Sequence, residues 1–155
     1  VEQAWSNLDI YTATQALKTF GTGVLPSHYL EMVKSRLYDE DKQAAWTLHR
    51  VVRDFMSAFT PVCPFFTHHV SSTIYGQSSV DVDAFPEAPH PETGVGTEHG
   101  DALRAISSSL QTFNSDTWGY KKEQGISLNQ PVSGVVIPEE LKAFTAILTR
   151  MHSLE

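Results

Sequence analysis

Lys42, Trp46, His49, Arg50 and Arg53 recur at i, i+4, i+7, i+8 and i+11. At 100° per residue these positions share one stripe of a helix. Cations interleaved with an indole suit an RNA surface: the charges meet phosphates, and the ring stacks on an unpaired base. The same pattern also fits a solvated helix face whose tryptophan packs on a neighbour. Lys34 and Arg36 lie just upstream. Lys121 and Lys122 close a later helix, where they complement the negative end of its dipole and can also reach a phosphate. The candidate RNA contacts are therefore Lys34, Arg36, Lys42, Trp46, Arg50, Arg53, Lys121 and Lys122.

Other chemistry finds little support. His68 and His69 are adjacent, so on a helix they point about 100° apart and do not chelate as an i, i+4 pair would. With a single cysteine and no HExxH pattern, no metal site is expected. Gly94-Val-Gly96 lacks the Lys-Ser/Thr and the preceding strand of a phosphate loop, and there is no GxSxG. Asp81 and Asp83 read as solvated carboxylates. Cys63, between Pro61 and Pro64, reads as a buried filler and fits a reducing cytoplasm. Neither a catalytic residue nor a cofactor is expected in this segment.

Composition bounds the partners. The 155 residues carry 11 Lys and Arg against 18 Asp and Glu, a net charge of -7. A general nucleic-acid binder should be basic. The charges are unevenly spread, however. Lys18, Lys34, Arg36, Lys42, Arg50 and Arg53 precede a stretch with no Lys or Arg before Arg104, in which Asp81, Asp83, Glu87, Glu92, Glu98 and Asp101 accumulate. Screening confines charge interactions to about 8–10 Å, so a local basic surface can still bind phosphate. No apolar run approaches the ~20 residues of a membrane span, and no secretory leader is visible. A cytoplasmic location without membrane or DNA contact is expected. The absence of an initial Met suggests a fragment, and Leu154-Glu155 is compatible with a cloning scar.

The elements that position these groups read as mainly helical. Residues 1–20 form a helix with Trp5, Leu8, Thr12, Ala16 and Phe20 near one side. Gly21, Gly23 and Pro26 predict a kink or break. Tyr29, Met32, Val33 and Leu37 resume the apolar stripe. Asp39-Glu-Asp41 starts a helix over about 42–59, whose apolar face is Leu48, Val52, Phe55, Met56 and Phe59. Pro64 opens a short helix that Gly76 stops. Leu103, Ile106, Leu110, Phe113 and Thr117 restore helical spacing as far as about Lys122, and Gly125 closes it. Val132–Ile137 is the one convincing strand, to be paired with the preceding loop or with a segment outside this chain. Pro138 then starts a helix bearing Leu141, Phe144, Leu148 and Met151.

The expected organisation is a helical bundle at 1–76, an acidic Pro/Gly loop at 77–97, a further bundle helix at 98–125 and a small strand-helix piece at 126–155. Burial is expected to centre on Leu48, Val52, Phe55, Phe59, Tyr29, Val33, Leu37, Phe65 and Leu110.

Several segments, in order, resemble the C-terminal anticodon-binding domain of class I aminoacyl-tRNA synthetases, most of all the archaeal-type valyl branch. They are Asn7-Leu-Asp-Ile-Tyr11 with Ala16-Leu17 and Phe20, then His28-Tyr-Leu-Glu31 and Lys34-Ser-Arg-Leu-Tyr38. Phe59-Thr-Pro61 and Pro64-Phe65 with Thr67 follow, then Ser79-Val80 and Phe85-Pro86. Tyr120-Lys-Lys and Gly125-Ile-Ser-Leu-Asn-Gln-Pro131 complete the set. The sequence departs from the family pattern at Thr22-Gly23, Ser27, His68-His69 and Phe85. The resemblance implies a mainly α fold, a helical bundle with a small C-terminal α+β piece, that holds the anticodon stem-loop of tRNA. It also implies an upstream catalytic domain of the same chain that uses ATP and magnesium to attach valine. The family's ATP-site signatures, His-Ile-Gly-His and Lys-Met-Ser-Lys-Ser, are absent here. Alternative readings are the same domain of an isoleucyl or leucyl enzyme, or a non-catalytic helical protein-interaction module.

Overall fold

The structure is a computed structural model that describes residues 1–76 and 97–155. Most of the expected acidic loop, with Asp81, Asp83 and Phe85-Pro86, lies outside the described residues. Backbone packing divides the chain into two compact units, Val1–Ser27 with Ser35–Glu87, and His28–Lys34 with Ala88–Glu155.

The first unit contains α1 (Glu2–Ser6), α2 (Ile10–Thr19), α4 (Lys42–Phe59) and α5 (Pro64–Tyr75). α2 and α5 each pack on α4, and α1 packs on α2. The starts and stops follow the residue types. Asp9 caps α2 by accepting from the Thr12 N–H at 3.0 Å. Asp41 caps α4 by accepting from the N–H groups of Gln43 and Ala44. Pro64 sits in the first turn of α5, and Gly76 ends it in the left-handed region at φ 65°. Small residues let these helices approach: Ala13, Ala44, Ala58, Thr67 and Ser71 are all buried. Phe55 adds the bulk, tilted on Phe20 and stacked on Phe59 with ring centroids 5.8 and 5.5 Å away.

The Gly21–Pro26 region does not break. α2 passes directly into a π-helix, Phe20–Leu30, which leads into α3 (Glu31–Tyr38). The wider i→i+5 turn accommodates Pro26, whose missing N–H and ring would disrupt an α-helical ladder. Gly21 lies against α4, where a Cβ would stand 2.6 Å from Cζ of Phe55.

The helix expected over 1–20 is interrupted between α1 and α2 at Leu8, which is 83% exposed at φ 57°. The expected core holds only in part: Val33 is buried, whereas Leu48, Val52, Phe55, Phe59, Tyr29, Leu37 and Leu110 are half-buried. Phe65 is 91% exposed. The buried face of α5 is set by Thr67 and Ser71, one turn apart, and Phe65 falls about 200° round the helix from Thr67. Cys63, expected as a buried filler, is half-buried beside it at the N-terminal end of α5.

In the second unit α6 (Glu98–Glu123) is capped by the Thr97 hydroxyl, which accepts from the Gly100 N–H at 3.0 Å. A 3-10 turn (Glu139–Phe144) and α7 (Thr145–His152) fold back on α6. Phe113, Leu141 and Leu148 form their core, with Ile106, Leu110, Val135, Ile137, Phe144 and Leu154 around it. The expected strand at 132–137 does not form, so the C-terminal piece is helical and not α+β. A single parallel bridge joins Val132 to Leu154. The Val132 N–H donates to Ser153 and the Val132 carbonyl accepts from Glu155. Gly134 then turns into the left-handed region at φ 82° and ends the extended run.

Candidate RNA interface

α4 separates its two faces cleanly. Ala44 and Ala58 are buried, while Lys42, Trp46, His49, Arg50 and Arg53 are exposed on the opposite side. The indole of Trp46 is 66% exposed, so it does not pack on a neighbouring helix. His49 is the anchored member of the stripe. Its Nδ1 lies 3.3 Å from the hydroxyl of Tyr75, which also donates to the His49 carbonyl. The cations differ in availability. Arg50 forms an ion pair with Asp54 at 2.8 Å, whereas Lys42 and Arg53 have no carboxylate partner among the described residues.

Arg36 belongs to the same unit but serves the fold. Its guanidinium meets Asp41 at 2.8 Å. That bond, with the two capped N–H groups, holds the Asp41 carboxyl below the usual carboxylate range. Lys34, in the second unit, pairs loosely with Glu31 at 3.4 Å.

The two C-terminal lysines have opposite fates. Lys122 is exposed with no carboxylate partner among the described residues. Lys121 is fully buried. Its ammonium donates to the carbonyls of Leu128, Gln130 and His152 at 2.8, 2.6 and 2.6 Å. All three protons are therefore used, and none remains for a phosphate. Burial holds its pKa below the ordinary lysine value. Lys121 is a clamp on the chain that follows α6, not an RNA contact.

That clamp belongs to a polar chain that the sequence did not disclose. The His152 Nε2 lies 2.8 Å from Asn114 Oδ1, and Asn114 Nδ2 lies 3.4 Å from His28 Nδ1. The order of donors and acceptors assigns the proton of His152 to Nε2. The Nδ1 of His152 is buried without a partner. Burial first, and the nearby Lys121 charge second, push the His152 pKa down to about 4. His28 is also lowered by burial. Trp118 touches both imidazoles, with centroids 5.5 Å away in each case. Its place four residues before Lys122 repeats the aromatic–cation spacing of Lys42 and Trp46, and that spacing was the available signal.

No group of three or more potential metal ligands occurs among the described residues, and no described helix is long and apolar enough to cross a membrane.

The described residues thus give a helical fold with an outward basic-aromatic stripe on α4, chemistry that suits an RNA surface. The chain belongs to the family described as the anticodon-binding domain of tRNA ligase, which matches residues 1–137. Its similar relatives include the valine–tRNA ligase of Methanothrix thermoacetophila, 34% identical over 86% of this chain and 15% of that protein. Others are the valine–tRNA ligases of Pyrobaculum aerophilum, 31% identical over 89% of this chain and 17% of that protein, and of Saccharolobus solfataricus, 28% identical over 84% and 15%. The chain thus spans well under a fifth of the length of these relatives. No solved structure matches.

Proposed function

We propose that this chain is the domain of a valine–tRNA ligase that grips the anticodon stem-loop of its tRNA. Attachment of valine, with ATP and magnesium, falls to a catalytic domain elsewhere in the parent protein, in the cytoplasm. The observation that carries the reading is the outward face of α4. In a family named for anticodon binding, it presents exposed Lys42, Trp46 and Arg53 on one line, opposite the packing face. Lys42 and Arg53 would meet phosphates and Trp46 a splayed loop base. Arg50 can exchange Asp54 for a phosphate at small cost, because an exposed ion pair contributes little in water.

Titration of the valine-tRNA stem-loop at several salt concentrations tests this. Replacing Lys42 and Arg53 by Ala should weaken binding and reduce the log–log salt slope by something approaching one per lost contact. Trp46→Ala should weaken binding with little change in slope, since stacking releases few counterions. Unchanged affinity and slope in the double basic variant would return the stripe to solvent.

A further inference from the structure

We propose that the cleft at the C-terminal end of α6 is a second RNA contact: a pocket for one unpaired nucleobase and its adjoining phosphate. The inference rests on the tRNA-binding reading above and deepens it.

The cleft, of about 720 Å³, is lined by Trp118, Gly119, Lys122, Gly125, Ile126, Ser127 and Leu128. That volume lies within the range of small-molecule sites and is ample for a nucleotide. Its chemistry is specific. Trp118 is half-buried, fixed by contacts to the imidazoles of His28 and His152, and the part they leave uncovered faces the cleft. A ring held in this way loses little rotamer freedom when a base packs on it. Lys122 lies one helical turn further along the same side and supplies the charge for a phosphate. Leu128, 54% exposed, adds an apolar lip, and the Ser127 hydroxyl adds a polar group.

Two glycines, Gly119 and Gly125, line the cleft. A Cβ at Gly119 would meet nothing within 4 Å, so the space beside it is empty rather than shielded by a neighbour. Gly125, at φ 68°, turns the chain so that 126–128 form the far wall. Lys121 holds that wall from behind through the Leu128 carbonyl. Two ammonium groups at the carbonyl end of α6 also offset its negative dipole, which would otherwise repel a phosphate.

The test uses the full chain with Trp5→Phe and Trp46→Phe, so that Trp118 is the sole indole. The probes are the valine-tRNA anticodon stem-loop and a fully paired RNA duplex of equal length. The stem-loop should quench Trp118 emission and the duplex should not. Gly119→Leu fills the cleft without altering charge and replaces a helical glycine, so the fold should keep or raise its unfolding midpoint. It should abolish the quenching and weaken stem-loop binding at least about fivefold, the lower range for loss of one stacked base. Lys122→Ala should lower the salt slope by about one. If the stem-loop binds through Lys42 and Arg53 while Trp118 is not quenched and Gly119→Leu binds normally, the pocket is refuted and the tRNA reading stands. The cleft would then be left to a protein partner. Absence of any stem-loop binding would overturn both.

Discussion

Lys121 and His152 set the chemistry of the second unit. Both are buried, and the imidazole is held neutral beside a cation. His152 titrates near 6.5 in an unfolded chain and near 4 in the fold. Between those values the unfolded state binds more protons, so stability falls as pH drops from 6.5 to 4 and then levels off. A displacement of that size corresponds to about 3 kcal/mol, to within roughly a unit of pKa. Denaturant unfolding of the second unit, followed by Trp118, should show that loss, and His152→Gln should flatten it. Lys121→Met should cost about 2–3 kcal/mol. The carbonyls of exposed Leu128 and Gln130 can be rehydrated, whereas that of buried His152 cannot. Chemical unfolding of this variant at neutral pH gives the figure, and a loss within noise would mean the clamp is dispensable. A lysine at a helix C-terminus reads the same in sequence whether it is wet or dry. What distinguished Lys121 from Lys122 was the path of the chain after Gly125, which no local pattern encodes.

Helix ends were the most legible elements, because their signals are local. Asp41, Pro64, Gly76 and Gly125 each act where their chemistry indicates. The exposed stripe of α4 was also legible, since helical phase alone separates Lys42 and Arg53 from Ala44 and Ala58. The break at Leu8 between α1 and α2 was missed, and so were two features that depended on non-local geometry. A continuous π-helix stands where a kink or break was expected, because periodicity counting assumes the α pitch. The strand at 132–137 needed a ladder partner, and Leu154 supplies only one bridge.

The contact of Gly21 with Phe55 gives a prediction for packing between the π-helix and α4. Gly21→Ala should destabilise the protein, since the added Cβ would crowd a ring already confined by Phe20 and Phe59. Phe55→Ala should cost about 3 kcal/mol, the low end for a core Phe, because the ring is only half-buried. In that background Gly21→Ala should become neutral or stabilising by up to about 1 kcal/mol, the helix-propensity gain of alanine. A double-mutant cycle from equilibrium unfolding reads the coupling, and additive effects would show that the ring moves aside freely.

Across the whole molecule, an acidic chain carries a local basic surface, and association with RNA should be correspondingly sensitive to salt. Electrostatics of that kind position a partner but perform no reaction. Amino-acid-dependent pyrophosphate exchange by this chain should therefore stay at background, and turnover above it would place a catalytic site here.

The Lys121 clamp also imposes an order on synthesis. Its ammonium spans 31 residues to reach the His152 carbonyl. While the chain emerges from the ribosome, α6 can coil as soon as its own residues are free. Leu128 and Gln130 follow within nine residues and can take two of the Lys121 protons early, but the third has no acceptor until His152 has followed. A nascent chain stalled before α7 would therefore carry an α6 whose clamp is only partly closed.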